Sequence, residues 1–220
     1  MRTAGAITLL MALAACTSAR PNAYSGLSSS GQLQPVEAGR SDKLPFQYAP
    51  RVNWRRYYKA TIEPVAIYDG PDAQFGKIPP NEQAELADYM EAQFREKLGG
   101  AFEIVEKPDG NTIRIHLTLT GAAPTKAVLG TFSRFDLAGG PYNAFQGIRG
   151  KEGTLTGSVI YAVEIYEGGS DTLLLSQISK QFPNALNIGA SFGAMAAAKV
   201  GIRKGADELV EQLTRPAKDK

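Results

Sequence analysis

A single cysteine, Cys16, is present in the chain of 220 residues, and it ends an apolar N-terminal segment. With one cysteine the chain forms no internal disulfide, so its domain must be held together by packing alone. Arg2 supplies a positive charge, the residues from Ala4 to Leu13 are apolar, and two alanines follow. This pattern is typical of a secretory signal peptide. An apolar run of about ten residues is too short for a membrane-spanning helix, which needs about twenty.

The residues Leu13-Ala14-Ala15-Cys16 resemble the lipobox of bacterial lipoproteins. In those proteins the cysteine sulfur receives a diacylglyceryl group, the peptide is cut just before it, and the new N-terminus is acylated. The alternative is a chance cysteine in an ordinary signal peptide, which would leave a reactive thiol in an oxidising compartment. We predict that residues 1–15 are a lipoprotein signal peptide and that Cys16 is the lipid attachment site. Thr17 stands where an aspartate would retain enterobacterial lipoproteins in the inner membrane, so the resemblance favours the outer membrane.

Residues 16–47 are predicted to be a lipidated N-terminus and a flexible tether, because Ser, Gly, Pro, Asn and Gln dominate them. A flexible chain of this length has a mean reach of roughly 30 Å. Tyr24, Leu27 and Leu33 are apolar, which leaves open that part of the segment lies against the domain. Residues 48–220 are predicted to form a single domain. The chain has 24 basic and 22 acidic residues, and this near-neutral balance excludes a general electrostatic case for nucleic acid as a partner.

The hydrophobic pattern predicts an α+β domain, with a mainly antiparallel sheet and helices packed on one face. Strands are predicted over residues 57–68, 101–106, 112–120, 153–166 and 172–182, and the last two form a hairpin. Pro64 cannot donate to a strand ladder, so it is expected to mark an edge or a bulge. Helices are predicted over residues 80–98 and from about residue 187 to the C-terminus. The predicted order is β-α-β-β-loop-β-β-α.

Three features are candidates for function. Residues 121–150 lack clear periodicity and contain many glycines and aromatics, so they form either a binding loop or an irregular loop folded over the sheet. The small residues over 189–201 either pack the last helix on the sheet or form a contact surface for a protein or the bilayer. His116, the only histidine, is expected on the solvated face of the 112–120 strand, where no partner residue is visible for a catalytic or ligand role.

Catalytic motifs are absent from the sequence, which lacks G-x-S-x-G, S-x-x-K, H-E-x-x-H and a phosphate loop. With one histidine and a lipidated cysteine, a Ser-His-Asp triad or a zinc site lacks its parts. Of the acidic pairs, Glu82 with Glu85 is explained by the helix dipole and Asp69 with Asp72 by turn chemistry. We therefore expect a protein that is not an enzyme and that holds no cofactor and no metal.

Several stretches of the mature chain carry a family resemblance: Tyr24-Ser25-Gly26-Leu27 before Leu33-Gln34-Pro35, Ile62-Glu63-Pro64-Val65, Ile78-Pro79-Pro80 before Leu86-Ala87-Asp88-Tyr89, and Pro108-Asp109-Gly110 with Ile113-Arg114-Ile115-His116-Leu117-Thr118-Leu119-Thr120. Through these stretches the chain resembles the bacterial lipoprotein family catalogued as domain of unknown function 3313. The chain beyond Asn184 matches less well. The resemblance implies an envelope lipoprotein and no reaction, since its patterns belong to the fold and not to an active site.

The anchor, the tether and the lack of catalytic motifs together predict a periplasm-facing outer-membrane lipoprotein. Its partners are expected to be the membrane, through the N-terminal lipid, and a protein of an envelope assembly. Two alternatives stay open: a hydrolase of envelope polymers that uses scattered carboxylates, and a carrier of an apolar ligand. A deep cleft lined by two or more acidic residues at catalytic separation would favour the hydrolase, and an apolar cavity between sheet and helices would favour the carrier.

Overall fold

The computed structural model of the protein describes residues 20–37, 43–124, 157–183 and 195–215. Within these ranges the chain forms two α-helices and eight strands. In chain order the elements are β1 (Gln34–Pro35), β2 (Phe46–Tyr48), β3 (Lys59–Ile62), β4 (Ala66–Ile67), α1 (Pro80–Gly99), β5 (Glu103–Ile104), β6 (Thr112–Ala123), β7 (Ser158–Glu167), β8 (Leu173–Gln181) and α2 (Ala196–Thr214).

The described strands form one sheet in the order β1-β2-β8-β7-β6-β3-β5, and β4 also pairs with β6. The long central pairs, β6 with β7 and β7 with β8, are antiparallel. At one edge, β3 runs parallel to both β5 and β6. This parallel pairing follows from chain order, because α1 lies between β3 and β6 and returns the chain in the same direction. The predicted α+β class with a mainly antiparallel sheet is confirmed, and the parallel edge is an addition to it.

Two details of the strands differ from the sequence prediction. The strand predicted over 57–68 is two strands, because Pro64 lies in the break between β3 and β4 and has no N–H to donate. The short strands β1 and β2 were not predicted, and they extend the sheet beyond β8. The start of the last helix near residue 187 and most of the 121–150 loop lie outside the described residues.

Helix α1 has the ends and the apolar spacing that the sequence predicts. Pro80 occupies the first turn together with Glu82, and Lys97 lies in the last turn, so both charges complement the helix dipole. Apolar residues at helical spacing face the sheet and are fully buried: Leu86, Met90, Phe94 and Leu98. The helix predicted over 80–98 is therefore confirmed.

Helix α2 approaches the sheet closely because two of its residues have no side chain. A Cβ atom on Gly205 would overlap the hydroxyl of Tyr161, and one on Gly201 would lie 3.0 Å from the carbonyl oxygen of Gln181. Neighbouring small and apolar residues of the same helix face are fully buried, namely Ala197, Ala198 and Ile202. The small residues of α2 therefore serve its packing on β7 and β8.

The sheet is covered on both faces. On one face, α1 and α2 enclose the main core with the inward side chains of β6 and β7. On the other face, Tyr24, Leu27 and Leu33 pack against a second apolar cluster, which comprises Tyr68, Ile160, Ala162 and Ile178. Of the predicted tether, the described residues 20–36 thus lie on the sheet and are not a free linker. Their apolar side chains are the physical reason, since each gains by leaving water.

Replacing Leu33 with alanine tests this packing. Leu33 is 7% exposed and belongs to the second cluster. We expect Leu33→Ala to lower the free energy of unfolding by about 2–4 kcal/mol, because a buried leucine loses its contacts and leaves a cavity. The measurement is urea denaturation followed by circular dichroism. Gln32→Ala, at the exposed preceding position, should change the free energy of unfolding by less than about 0.5 kcal/mol. Equal losses of unfolding free energy in the two variants would contradict the packing of Leu33.

Candidate functional site

Two predicted sites lie outside the described residues: Cys16, and the 128–148 part of the loop proposed as a contact surface. Of the other proposed surface, 189–201, the structure describes residues 195–201, and Ala197, Ala198 and Gly201 are buried against the sheet. These buried residues of that part are used within the domain, which agrees with the first of the two interpretations, packing of the last helix on the sheet, and not with a contact surface. In the described ranges, neither helix has an apolar run that would span a bilayer, and no cluster of His, Cys, Asp and Glu is placed to hold a metal ion.

The N-terminal segment is fixed to the domain at its first described residue, four positions after Cys16. Gln74 Nε2 donates a hydrogen bond to the carbonyl oxygen of Arg20 over 2.9 Å. The hydroxyl of Tyr24 donates to Gln74 Oε1 over 2.5 Å, so one glutamine side chain holds two points of the segment. The Tyr24 ring also meets the Tyr68 ring edge-on, with 5.3 Å between centroids. These contacts place the start of the described chain, at Arg20, beside Gln74.

A carboxylate of the sheet is buried beneath the same segment. Glu164 on β7 is 5% exposed, and its Oε1 accepts the backbone N–H of Ser29 over 2.7 Å. The hydroxyls of Ser29 and Ser176 lie 2.6 Å apart. Burial, followed by the charge of Glu164, raises the pKa of Tyr166 to about 12. A charged hydrogen bond of this kind fixes the segment in one register on the sheet.

His116 is half-buried and has two side-chain neighbours, so the expectation of a solvated residue without partners is wrong. Its Nε2 lies 3.1 Å from Oε1 of Glu63, and its ring centroid lies 5.1 Å from that of Tyr166. Both neighbours come from other parts of the chain, the break after β3 and strand β7, which the alternation of the 112–120 strand does not reveal. Strand alternation assigns a face but not what lies beside it.

The acidic pairs considered in the sequence have structural partners. Glu85 pairs with Lys199 of α2 over 2.5 Å, which joins the two helices. Asp72 accepts the hydroxyl of Tyr68 over 2.6 Å within the predicted turn. These contacts give each carboxylate a partner within the fold.

A cleft of about 380 Å³ lies where β6 begins. Its walls are residues of the 52–58 stretch, which contains the 3-10 turn Trp54–Arg56, together with residues 101 and 102 shortly after α1 and residues 213–215 at the end of α2. Aromatic and arginine side chains dominate the lining, which includes Trp54, Arg55, Tyr57, Tyr58, Phe102 and Arg215. This site is termed the aromatic cleft. The described lining residues include no carboxylate.

The aromatic cleft combines a buried aromatic side chain with exposed ones. Tyr57 is buried, its hydroxyl donates to Glu167 over 3.3 Å, and the guanidinium of Arg56 lies 5.1 Å from its ring centroid. Burial raises the pKa of Tyr57, and the charge of Glu167 contributes. Tyr58 is 54% exposed. Trp, Tyr and Arg are the residues that carry most binding energy in protein interfaces, so this lining suits a protein partner.

The sequence pattern does not predict the aromatic cleft, although one stretch carries a signal for it. The stretch Trp54-Arg55-Arg56-Tyr57-Tyr58 places three aromatics and two arginines in five residues. It was assigned to the start of the fold and the first strand. The remaining walls come from residues 101–102 and 213–215, which only the tertiary structure brings to the turn.

The start of the described chain, at Arg20, and the aromatic cleft lie at opposite ends of β6. Gln74, which holds Arg20, forms a bridge with Gly121 near the end of this strand. The cleft borders its start, where the Tyr58 N–H donates to the carbonyl of Asn111 over 3.2 Å. At 3.3 Å per residue, the strand separates the two points by about 30 Å.

Comparisons with known proteins give a family match and several structural likenesses. The family model described as "Protein of unknown function (DUF3313)" matches residues 23–209. A search among curated proteins finds no significant match. The PelC dodecamer from Paraburkholderia phytofirmans is 12% identical, covers 73% of this chain and 94% of its own, and has a TM-score of 0.35.

Two further solved structures are similar to a comparable extent. A DUF330 protein from Xanthomonas campestris is 11% identical, with 75% of this chain and 90% of its own covered and a TM-score of 0.37. A putative neuraminyllactose-binding hemagglutinin homolog from Helicobacter pylori is 10% identical, with 78% and 88% covered and a TM-score of 0.32. Likenesses at these scores carry no argument about what this chain binds.

Titration at high pH tests the burial of Tyr24. Burial raises the pKa of Tyr24 to about 12, whereas a free tyrosine has a pKa of about 10. Between these values the unfolded chain loses the proton and the folded chain keeps it, so the free energy of unfolding falls as pH rises.

We expect Tyr24→Phe to reduce this fall between pH 9 and pH 11.5 by roughly 2 kcal/mol, as measured by urea denaturation at both pH values. The other tyrosines are common to both proteins, so their contributions cancel in the comparison. An equal fall in the wild-type protein and the variant would contradict the burial of Tyr24.

Proposed function

The chain belongs to the DUF3313 family, and we propose that it is a lipoprotein of the outer membrane, attached through Cys16, whose domain faces the periplasm. In this role the domain binds a protein of an envelope assembly and catalyses no reaction. The motif Leu13-Ala14-Ala15-Cys16 supports the anchor. Several acyl chains give stable attachment, because one chain alone binds a bilayer only marginally.

The observation that carries the proposal is the short distance along the chain between the anchor and the domain. Arg20 is bound to Gln74 and follows Cys16 by four residues. Four residues span at most about 14 Å, so the end of the domain at Gln74 would be held close to the bilayer. A free tether over residues 16–47 would instead reach roughly 30 Å and allow any orientation.

An anchor at this end directs the aromatic cleft away from the membrane. The cleft lies about 30 Å along β6 from the anchor-proximal end, so it would open toward the periplasm. Its exposed Tyr58 and its Trp54 and Arg55 match the composition of interface hot spots. Hydrolysis by a carboxylate pair has no support at this cleft, because its described lining contains no carboxylate.

Replacing Cys16 with alanine tests the anchor. We expect Cys16→Ala to abolish labelling with radioactive palmitate and to leave the precursor uncleaved, because the sulfur that accepts the lipid is absent. Gel mobility and autoradiography of whole cells give both readouts. Thr17→Ala is the matched control and should be labelled and cleaved normally. Normal labelling of Cys16→Ala would overturn the lipoprotein assignment.

Site-specific photo-crosslinking in cells tests the aromatic cleft. With p-benzoylphenylalanine at position 58, we expect a discrete adduct with one periplasm-exposed protein, because this side chain is exposed in the cleft. Position 88, an exposed site on α1, is the matched control and should give no such adduct. Adding Arg55→Glu should reduce the adduct at position 58 at least tenfold, since hot-spot arginines contribute about 2 kcal/mol or more.

Two outcomes would contradict partner binding at the cleft. One is the absence of any adduct at position 58. The other is an adduct of the same mass and yield at positions 58 and 88, which would indicate random collision. Mass spectrometry of the excised adduct identifies the protein captured.

A further inference from the structure

The aromatic cleft carries one arginine that the fold does not use. Arg55 lines the cleft, is exposed, and forms no hydrogen bond or ion pair with any of the described residues. Its neighbour Arg56 is used within the fold, because its guanidinium lies 3.1 Å from the carboxylate of Glu167 and over the ring of Tyr57. A free guanidinium at the mouth of a cleft is placed to bind a carboxylate through two parallel hydrogen bonds.

The negative groups around the cleft leave this positive charge in place. Glu167 and Glu211 each pair with an arginine, over 3.1 Å and 2.7 Å. Glu103 is exposed and lies outside the lining. The last carbonyls of α2 carry partial negative charge, but the carbonyl of Glu211 accepts the backbone N–H of Arg215 over 3.0 Å. The unpaired charge on the described lining is therefore that of Arg55.

The rest of the lining is mainly apolar and continues the main core. Phe102 and Leu213 are buried members of that core and close the floor of the cleft. Trp54 is half-buried, with its ring centroid 6.3 Å from that of Tyr57. Tyr58 is the most exposed large hydrophobic side chain of the described residues. The surface that a ligand can reach is thus largely that of Trp54 and Tyr58, and it suits a large apolar side chain.

The volume of the cleft, about 380 Å³, limits what enters it. An α-helix with its side chains is about 10–12 Å wide, so a cleft of this size holds only a short length of one. Successive side chains of an extended chain point to opposite sides. An extended segment can therefore place one large side chain in the cleft and keep the flanking residues at the mouth, where Arg55 is exposed.

We infer that the aromatic cleft binds an extended segment of the partner protein in which a large apolar side chain is flanked by carboxylates. The apolar side chain contacts Trp54 and Tyr58, and one carboxylate pairs with Arg55. This inference rests on the proposed function, because it names the chemistry of the segment that the partner presents.

The residues that follow Arg215 do not have this chemistry. Residues 216–220 have the sequence Pro-Ala-Lys-Asp-Lys, with two lysines and no aromatic or long apolar side chain. Charge complementarity with Arg55 therefore favours a partner over the chain's own last residues.

Trp54 is the only tryptophan of the chain, so its fluorescence reports on the cleft alone. The probe is the blocked pentapeptide Asp-Glu-Phe-Glu-Asp, titrated into the full chain in an uncharged detergent at physiological ionic strength. Two matched peptides carry alanine in place of phenylalanine, or lysines in place of the acidic residues. We expect a saturable change in Trp54 emission with the first peptide and at least tenfold weaker binding of each of the other two.

Variants connect the binding to the charge of Arg55. Arg55→Glu should weaken binding of the acidic peptide at least tenfold, because attraction becomes repulsion. Lys77→Glu makes the same charge change at an exposed residue three positions after Gln74, and it should change the affinity less than twofold. The reason is screening, since charges separated by more than about 8 Å interact little at this ionic strength. Deletion of residues 216–220 should also leave the affinity within twofold.

Four results would overturn the inference: the three peptides bind equally, Arg55→Glu binds the acidic peptide as the wild-type protein does, the deletion raises the affinity tenfold or more, or an oligogalacturonate binds more tightly than the acidic peptide. The third result would identify the chain's own last residues as the occupant, and the fourth an anionic polysaccharide.

This titration and the photo-crosslinking at position 58 can fail separately. An adduct in cells without binding of the acidic peptide overturns the inference and leaves the proposed partner in place. Binding of the acidic peptide without an adduct contradicts the proposed partner and leaves the chemistry of the cleft in place.

Discussion

Burial of strand β7 on both faces is the condition on which the rest of the structure depends. Its residues from Ser158 to Ile165 are all buried. Val159, Tyr161, Val163 and Ile165 lie in the core under the helices, while Ile160 and Ala162 lie under the N-terminal segment. With one cysteine in the chain, no internal disulfide closes either layer. Both covers must therefore be held by apolar burial, at about 1.5–3 kcal/mol for each large side chain.

This arrangement changes what the N-terminal segment is. A segment that covers one face of the central strand cannot also be a free tether, because releasing it would expose Ile160 and Ala162 and leave Glu164 without its Ser29 hydrogen bond. The same packing determines which end of the domain lies next to the start of the N-terminal segment, namely the end at Gln74. If Cys16 carries the lipid, the end near Gln74 lies toward the bilayer and the other end of β6 points away from it.

The two cavities differ in the chemistry of their linings. The aromatic cleft has exposed Tyr58 beside arginines, which favours a partner segment with apolar and acidic groups. A second cavity, of about 350 Å³ between α2 and strands β7 and β8, has buried glutamines and ion-paired carboxylates on its lining. Arg215, at the end of α2, lines both, so this short C-terminal stretch forms part of each wall.

The sequence by itself determined the features that depend on neighbours along the chain. The helical spacing of apolar residues and Pro80 predict the extent of α1, and the alternation of apolar and polar residues predicts which face of β6 is buried. Pro64 predicts the interruption that separates β3 from β4. The signal-peptide pattern and Cys16 are likewise local, and they remain predictions because they lie outside the described residues. Such features are readable because they depend on backbone periodicity and on the chemistry of single residues.

Only the tertiary structure decided what covers each face and which residues meet across it. Ser29 and Glu164 are hydrogen-bonded although they are 135 residues apart in the chain, and Gln181 donates to Glu208, which is 27 residues away in the chain. Alternation showed that Glu164 and His116 point away from the helices, but not that residues 20–36 cover Glu164 or that Glu63 lies beside His116. The physical reason is that a hydrophobic pattern states which side chains leave water, while the identity of the covering segment depends on how the whole chain closes.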